Sequence, residues 1–168
     1  ATAGTVETIN FNTAFTGGLV LQLDSADTTS VLLELTDITG KKDTVLLVGI
    51  ENFGKRWLVQ GDAFFGIDLT QIATMSFVFE GAGDRSVNVV WGDWEVTKEI
   101  AADPTKDEGD ITKLPLKADG NRPDINAFAK EEAGTTASVD VVSENFATVD
   151  YTGANAESFG GAFITYDD

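Results

Sequence analysis

Neither cysteine nor histidine occurs among the 168 residues. Without cysteine there are no disulfides, no thiolate nucleophile and no cysteine-ligated zinc. Without histidine the commonest general base and the usual transition-metal ligand are also missing. Ser-His and Cys-His machinery is therefore excluded, and an enzyme here would have to work with carboxylates, lysine or tyrosine. Basic residues are few: 11 Lys and Arg stand against 28 Asp and Glu, a formal charge of -17 that repels a phosphate backbone and argues against nucleic-acid binding. No apolar run approaches the ~18 residues needed to span a membrane, so insertion is not expected. Residues 1–5 (ATAGT) carry no basic or apolar leader pattern and no initiator Met, which reads as a mature or excised piece and leaves the loss of a signal open. Only three prolines occur, and all lie between residues 97 and 136.

What is present is a succession of short apolar runs. "GLVLQLD" (18–24), "SVLLELTD" (30–37), "DTVLLVGI" (43–50), "TMSFVFEG" (74–81) and "SVNVVWGDWEV" (86–96) are rich in Val, Leu, Phe and Trp, and several alternate with period two. Ser25-Ala26-Asp27, Thr39-Gly40-Lys41-Lys42 and Gly83-Asp84-Arg85 read as tight turns between them, with Gly40 placed to take a positive φ. "GIDLTQIATM" reads as a helical turn before the next strand. Over 97–136 the composition changes to charges and prolines, a long connection with a short helical turn at "INAFAKEEA". Strands resume with "ASVDVVS" (137–143), "FATVDYTG" (146–153) and "FGGAFITYDD" (159–168). Strands at this spacing predict an all-β antiparallel sandwich or barrel rather than βαβ units, with residues 1–96 and 137–168 as one module.

The stretch "LLELTDITGKKDTVLLVGIENFGKRWLVQGDAFFGIDLTQIATMSFVFEG" resembles the latter half of galactose-binding-like β-sandwich modules, jelly rolls often appended to secreted polysaccharide-degrading enzymes. In that pattern the opening strands resemble "ASVDVVSENFATVDYTGANAESFGGAFITYDD", which here comes last. The order is that of a circular permutation, or of a window cut from a tandem array with 97–136 as an inter-repeat linker. Either predicts that Ala1 and Asp168 are adjacent or meet the termini of neighbouring copies. The resemblance implies an extracellular or cell-surface module without catalytic activity that binds polysaccharide through an aromatic-lined face. A different class is also open: a structural repeat of a surface layer, adhesin or filament, in which copies self-assemble by strand exchange.

Aromatic rings stack on sugar faces while Asp, Asn, Gln and Arg reach the hydroxyls. The candidates are Trp57, Trp91, Trp94, Tyr151 and Tyr166, with Arg56 and Arg85 as polar partners. Trp57 stands where the resembling modules carry a mostly core aromatic. Trp91 and Trp94, three apart, point to opposite faces of a regular strand unless a bulge at Gly92 re-aims them. Calcium is the ion suited to a chain rich in carboxylates and devoid of His and Cys. Asp103, Asp107, Glu108 and Asp110 cluster in "DPTKDEGD" without EF-hand spacing and read as a solvated linker. The resemblance implies a structural Ca²⁺ held by an acid near the last strand, the place of Asp93, although the usual acidic pair before the first strand is missing. Asp37, Asp43, Asp62 and Asp68 sit at turns, where polar loops supply acids, and form no acid/base pair.

Overall fold

The computed structural model describes residues 8–15, 18–25, 29–50, 55–95, 110–111, 123–143 and 146–166, with the backbone alone at 22, 24, 55–56, 92–95, 110–111 and 143. Eleven strands run through these residues: β1 Leu19–Asp24, β2 Thr29–Asp37, β3 Lys42–Ile50, β4 Lys55–Val59, β5 Ile72–Glu80, β6 Gly83–Glu95, β7 Asp110–Ile111, β8 Asp124–Ala129, β9 Thr136–Ser143, β10 Phe146–Gly153 and β11 Phe159–Thr165. One helical turn, α1 (Phe11–Ala14), is capped by the Asn10 side chain.

The strands form two antiparallel sheets packed face to face, ordered β4-β1-β6-β10-β9 and β3-β2-β5-β11-β8, with the short β7 paired to the end of β6. The all-β antiparallel sandwich read from the sequence is the observed fold, in an arrangement compatible with a jelly roll. Period-two patterning explains which side of each strand is buried. Val31, Leu33 and Leu35 of β2 point inward while Leu32, Glu34 and Thr36 point out, and β10 buries Ala147, Val149 and Tyr151 between outward Thr148, Asp150 and Thr152. The two inner faces meet in one apolar core that also takes in Phe11, Phe15 and Phe64. Phe11 packs edge-on against Phe64 at 6.0 Å and beside Phe15 at 5.0 Å, plugging one end of the sandwich.

Several local expectations change. Gly40 does take a positive φ of 86° and closes the β2–β3 hairpin. The segment after β1, in contrast, carries the chain from one sheet to the other, because β1 and β2 lie in different sheets. The same holds after β5: residues 83–85 are already strand, and the chain changes sheet at Gly81-Ala82. Two runs joined by few residues need not form a hairpin when both bury one face in a common sandwich core. In "GIDLTQIATM" the expected helical turn is a single hydrogen-bonded turn, Gln71 N–H donating to the Asp68 carbonyl at 3.1 Å just before β5, and a separate 3-10 turn lies earlier at Gly61–Ala63. "INAFAKEEA" is mostly strand rather than helix: β8 pairs with β11 from Asp124↔Thr165 to Ala129↔Gly160 and forms the sheet edge. Ladder pairing to β11 outweighs the helix propensity of Ala and Lys there. The rest of the 97–136 connection lies outside the described residues except β7, Pro123 and residues 130–136.

The last strand has neighbours on both sides, β5 and β8. Just past its end, Tyr166 N–H donates to the Ala73 carbonyl at 3.4 Å, and at the adjoining residue Ile9 exchanges both backbone bonds with Ile72 at 2.9 and 2.8 Å. Ala1 and Asp168 themselves lie outside the described residues. The described segments nearest to them meet at consecutive residues of β5.

Candidate functional site

Three of the five aromatic candidates belong to the core. Trp91 is 2% exposed and lies 6.4 Å from Phe77 across the sandwich, as the alternation Val87, Val89, Trp91 on β6 dictates. Tyr151 is 2% exposed, stacks on Phe79 at 5.6 Å and 14°, and donates its hydroxyl to the Gly81 carbonyl at 2.7 Å. Tyr166 is 1% exposed. Burial pushes the Tyr151 and Tyr166 hydroxyls above the usual tyrosine range. Trp57 is half-buried against the same core, and its register neighbour Leu21 stands between it and Trp91. The indole N–H groups of Trp57 and Trp91 and the Tyr166 hydroxyl are buried without a hydrogen-bond partner among the described residues. These rings therefore do not form an exposed sugar platform. The side chains of Trp94, Arg56 and Asp93 lie outside the described residues; their backbones lie on β6, β4 and β6.

The Tyr151 hydroxyl bond ties β10 to the point where the chain changes sheet. Tyr151→Phe keeps the ring and strands the Gly81 carbonyl, so we expect a loss of about 1 to 2 kcal/mol, read as a lowered urea midpoint with an unchanged slope. A midpoint equal to wild type would mean that water satisfies the carbonyl as well as the tyrosine does.

The outer face of β6, β10 and β9 is built differently. Because Val87, Val89, Ala147, Val149 and Tyr151 point inward, the alternate residues form a polar grid on the outside. Its cross-strand rows are Asp84–Thr152–Thr136, Ser86–Asp150–Ser138 and Asn88–Thr148–Asp140. Thr152 donates to the Asp84 carboxylate at 2.8 Å and Thr148 to the Asn88 amide oxygen at 2.8 Å, which orients both acceptors. A concavity of about 310 Å³ opens over the first two rows, lined by Asp84, Arg85, Ser86, Thr136, Ala137, Ser138, Asp150, Tyr151 and Thr152. Two sequence candidates, Arg85 and Tyr151, thus meet at one place, the tyrosine as buried support. Asp is poorly suited to a central strand, yet Asp150 sits in the middle of β10 with strands on either side. The sequence signal for this grid is the alternation of Ser, Thr and Asp in "DRSVN", "TASVD" and "TVDYT".

Among the described residues no group of three or more His, Cys, Asp or Glu is arranged to hold a metal ion. Asp37 and Asp68 are close, but their oxygens are occupied: Asp37 accepts from the Thr39 hydroxyl and from the N–H groups of Thr39, Lys41 and Asp68, while Asp68 accepts from Thr70 and Gln71. These carboxylates serve as turn braces. The calcium expectation rests on Asp93, whose side chain lies outside the described residues.

No helix among the described residues is long and apolar enough to cross a membrane. Comparison with protein-family models, with curated proteins and with solved structures finds no match to this chain.

Proposed function

We propose that this chain is a non-catalytic, extracellular carbohydrate-binding module, and that the polar basin on the outer face of β6, β10 and β9 receives the saccharide. The observation that carries this reading is the convergence of two carboxylates and four hydroxyls, with Arg85 at the rim, on a concave surface held by three paired strands. A saccharide presents many hydroxyls that both donate and accept. Asp84 and Asp150 accept from them, Arg85 donates, and Ser86, Thr136, Ser138 and Thr152 do either. A rigid sheet fixes these groups before the ligand arrives, which lowers the ordering cost of binding. The resemblance to galactose-binding-like modules in "LLELTDITGKKDTVLLVGI" and the segments after it supports the same class. Two acids against one base favour neutral over acidic polysaccharides.

Affinity electrophoresis against β-glucan, agar and xylan tests this. We expect retardation by at least one of them, and about tenfold weaker retardation for Asp150→Ala, an exposed site whose loss leaves the core intact. A folded protein retarded by none of the three overturns the reading.

A second reading, a repeat that packs against copies of itself, is favoured by one observation. On the outer face of the other sheet Leu46, Leu32, Val78, Gly161 and Phe128 form one cross-strand row, with Leu46 56% and neighbouring Val48 53% exposed. An apolar stripe of this width is the kind of surface that partners cover. Size exclusion at rising protein concentration separates the two readings: a species that stays monomeric removes the second.

A further inference from the structure

The chain changes sheet between β5 and β6 through Glu80, Gly81, Ala82 and Gly83. This crossover is fixed from two directions. Gly81 N–H donates to the Ser158 carbonyl at 2.8 Å, and its own carbonyl accepts the Tyr151 hydroxyl. Arg85 lies just beyond, opposite Tyr151 in the β6–β10 ladder. Its guanidinium runs back beside the crossover, where a Cβ added to Gly81 would sit 3.4 Å from Arg85 Nη2. No salt bridge joins Arg85 to a carboxylate among the described residues, although the chain carries 28 acids.

Arg85 lines two concavities, not one. The first is the polar basin. The second, of about 250 Å³, opens on the outer face of the other sheet and is lined by Ser30, Leu32, Leu46, Val78, Glu80 and Arg85. Leu46, Leu32 and Val78 face one another directly across β3, β2 and β5. The two concavities differ in chemistry, the first offering hydroxyls and carboxylates and the second an apolar floor with Ser30 and Glu80 among its lining residues.

We infer that these concavities are two halves of one extended site, in which a saccharide chain passes round the β5–β6 end of the sandwich with Arg85 shared between them. This rests on the saccharide reading above and extends it from a single sugar to a chain. A pyranose has a rim of hydroxyls and an apolar C–H face, so a chain of them satisfies both halves. The rim bonds to the basin, and the C–H face covers Leu46, Leu32 and Val78. Arg85 supplies a planar fork of donors at the junction, with no ion-pair partner among the described residues. Short oligosaccharides fill one half, whereas longer ones gain the second as an intramolecular step.

Isothermal titration with xylo-, cello- and agaro-oligosaccharides tests the extension. From about two to about six sugar units we expect the affinity of the series that binds to rise at least about tenfold. Leu46→Ser, at an exposed position, should abolish that rise. Arg85→Ala should weaken every length. Equal affinity across the series, or a Leu46→Ser protein that follows wild type at every length, overturns the extended site and leaves the single basin standing. Absence of binding at any length, together with no retardation by the polysaccharides, removes both. Should Arg85→Ala fail to fold, Leu46→Ser decides alone.

Discussion

Gly161→Ala should cost about 3 kcal/mol or more and lower the melting temperature by roughly 10 °C. Gly161 lies on β11 with φ of 156°, and a Cβ built there would fall 1.9 Å from the Phe77 carbonyl oxygen and 3.3 Å from Val78 Cα. Both obstacles are backbone of β5, which is itself paired to β2 on its other side, so neither can yield without disturbing the centre of the sheet. Gly40→Ala is the control, since Gly40 also has a positive φ but meets nothing within 4 Å of an added Cβ. Backbone strain alone then costs about 1 kcal/mol. Thermal melts of the two variants separate close approach from conformational strain. A Gly161→Ala protein no less stable than Gly40→Ala would show that β11 can move away from β5.

That glycine pair shows how far the sequence could be read. "FGGAFIT" announces a strand, and the alternation of Ala162 and Ile164 with Phe163 and Thr165 announces its two faces. What the pair accommodates is three-dimensional: Gly161 lies against the backbone of β5, and a Cβ on Gly160 would come within 3.1 Å of the Tyr151 ring and 2.8 Å of the Phe128 carbonyl. Strands with strong apolar alternation, such as β2 and β10, were legible because burial of one face leaves the period in the chain. β8 was not, since an edge strand with Ala, Asn and Phe carries no such period and acquires its structure from β11. The connections after β1 and β5 were misread for the same reason, as local turn chemistry does not say which sheet the next strand joins. The candidate site shows a similar division. Sequence marked Arg85 and Tyr151 singly; the hydroxyls and acids around them come together only through the β6–β10–β9 register.

The meeting of Ile9 and Tyr166 on β5 bears on the unusual order of the strands. Ile9 pairs with Ile72 and Tyr166 reaches Ala73, so the two segments occupy neighbouring places along one flank of the same strand. A sandwich closed in this way satisfies the backbone of β11 within one molecule. Strand exchange between copies thereby loses its simplest motive, an unpaired last strand, and association through the apolar row at Leu46 and Phe128 becomes the form of assembly worth testing.

Acid should stabilise this protein before it unfolds it. At neutral pH the net charge of -17 opposes compaction, and protonation of ordinary carboxylates near pH 4 to 5 relieves that repulsion. Two carboxylates behave otherwise. Glu132 is held well below its usual 4.5, to about 2, first by the Ser158 hydroxyl, then by the hydroxyl of Thr135, with the Asn155 amide and Lys130 adding to the effect. Asp37 falls from 3.8 to about 2, chiefly through the Thr39 hydroxyl and the Asp68 N–H. Glu132 ties the β8–β9 turn to the β10–β11 turn, and Asp37 ties the β2–β3 hairpin to the loop before β5. A carboxylate with a lowered folded pKa binds its proton more readily when unfolded. Its contribution is complete above about pH 4.5 and is lost as the pH falls towards about 2. The melting temperature should therefore pass through a maximum at about pH 4 to 5 and then drop steeply. In Glu132→Gln and Asp37→Asn the proteins are less stable at neutral pH, and their acid limbs are shallower, because the group whose protonation drives the fall is gone. Asp37→Asn takes the larger loss, since its amide N–H₂ opposes one of the N–H groups that the carboxylate now accepts from. A double variant whose acid limb is as steep as that of the wild type would place the acid sensitivity elsewhere in the chain.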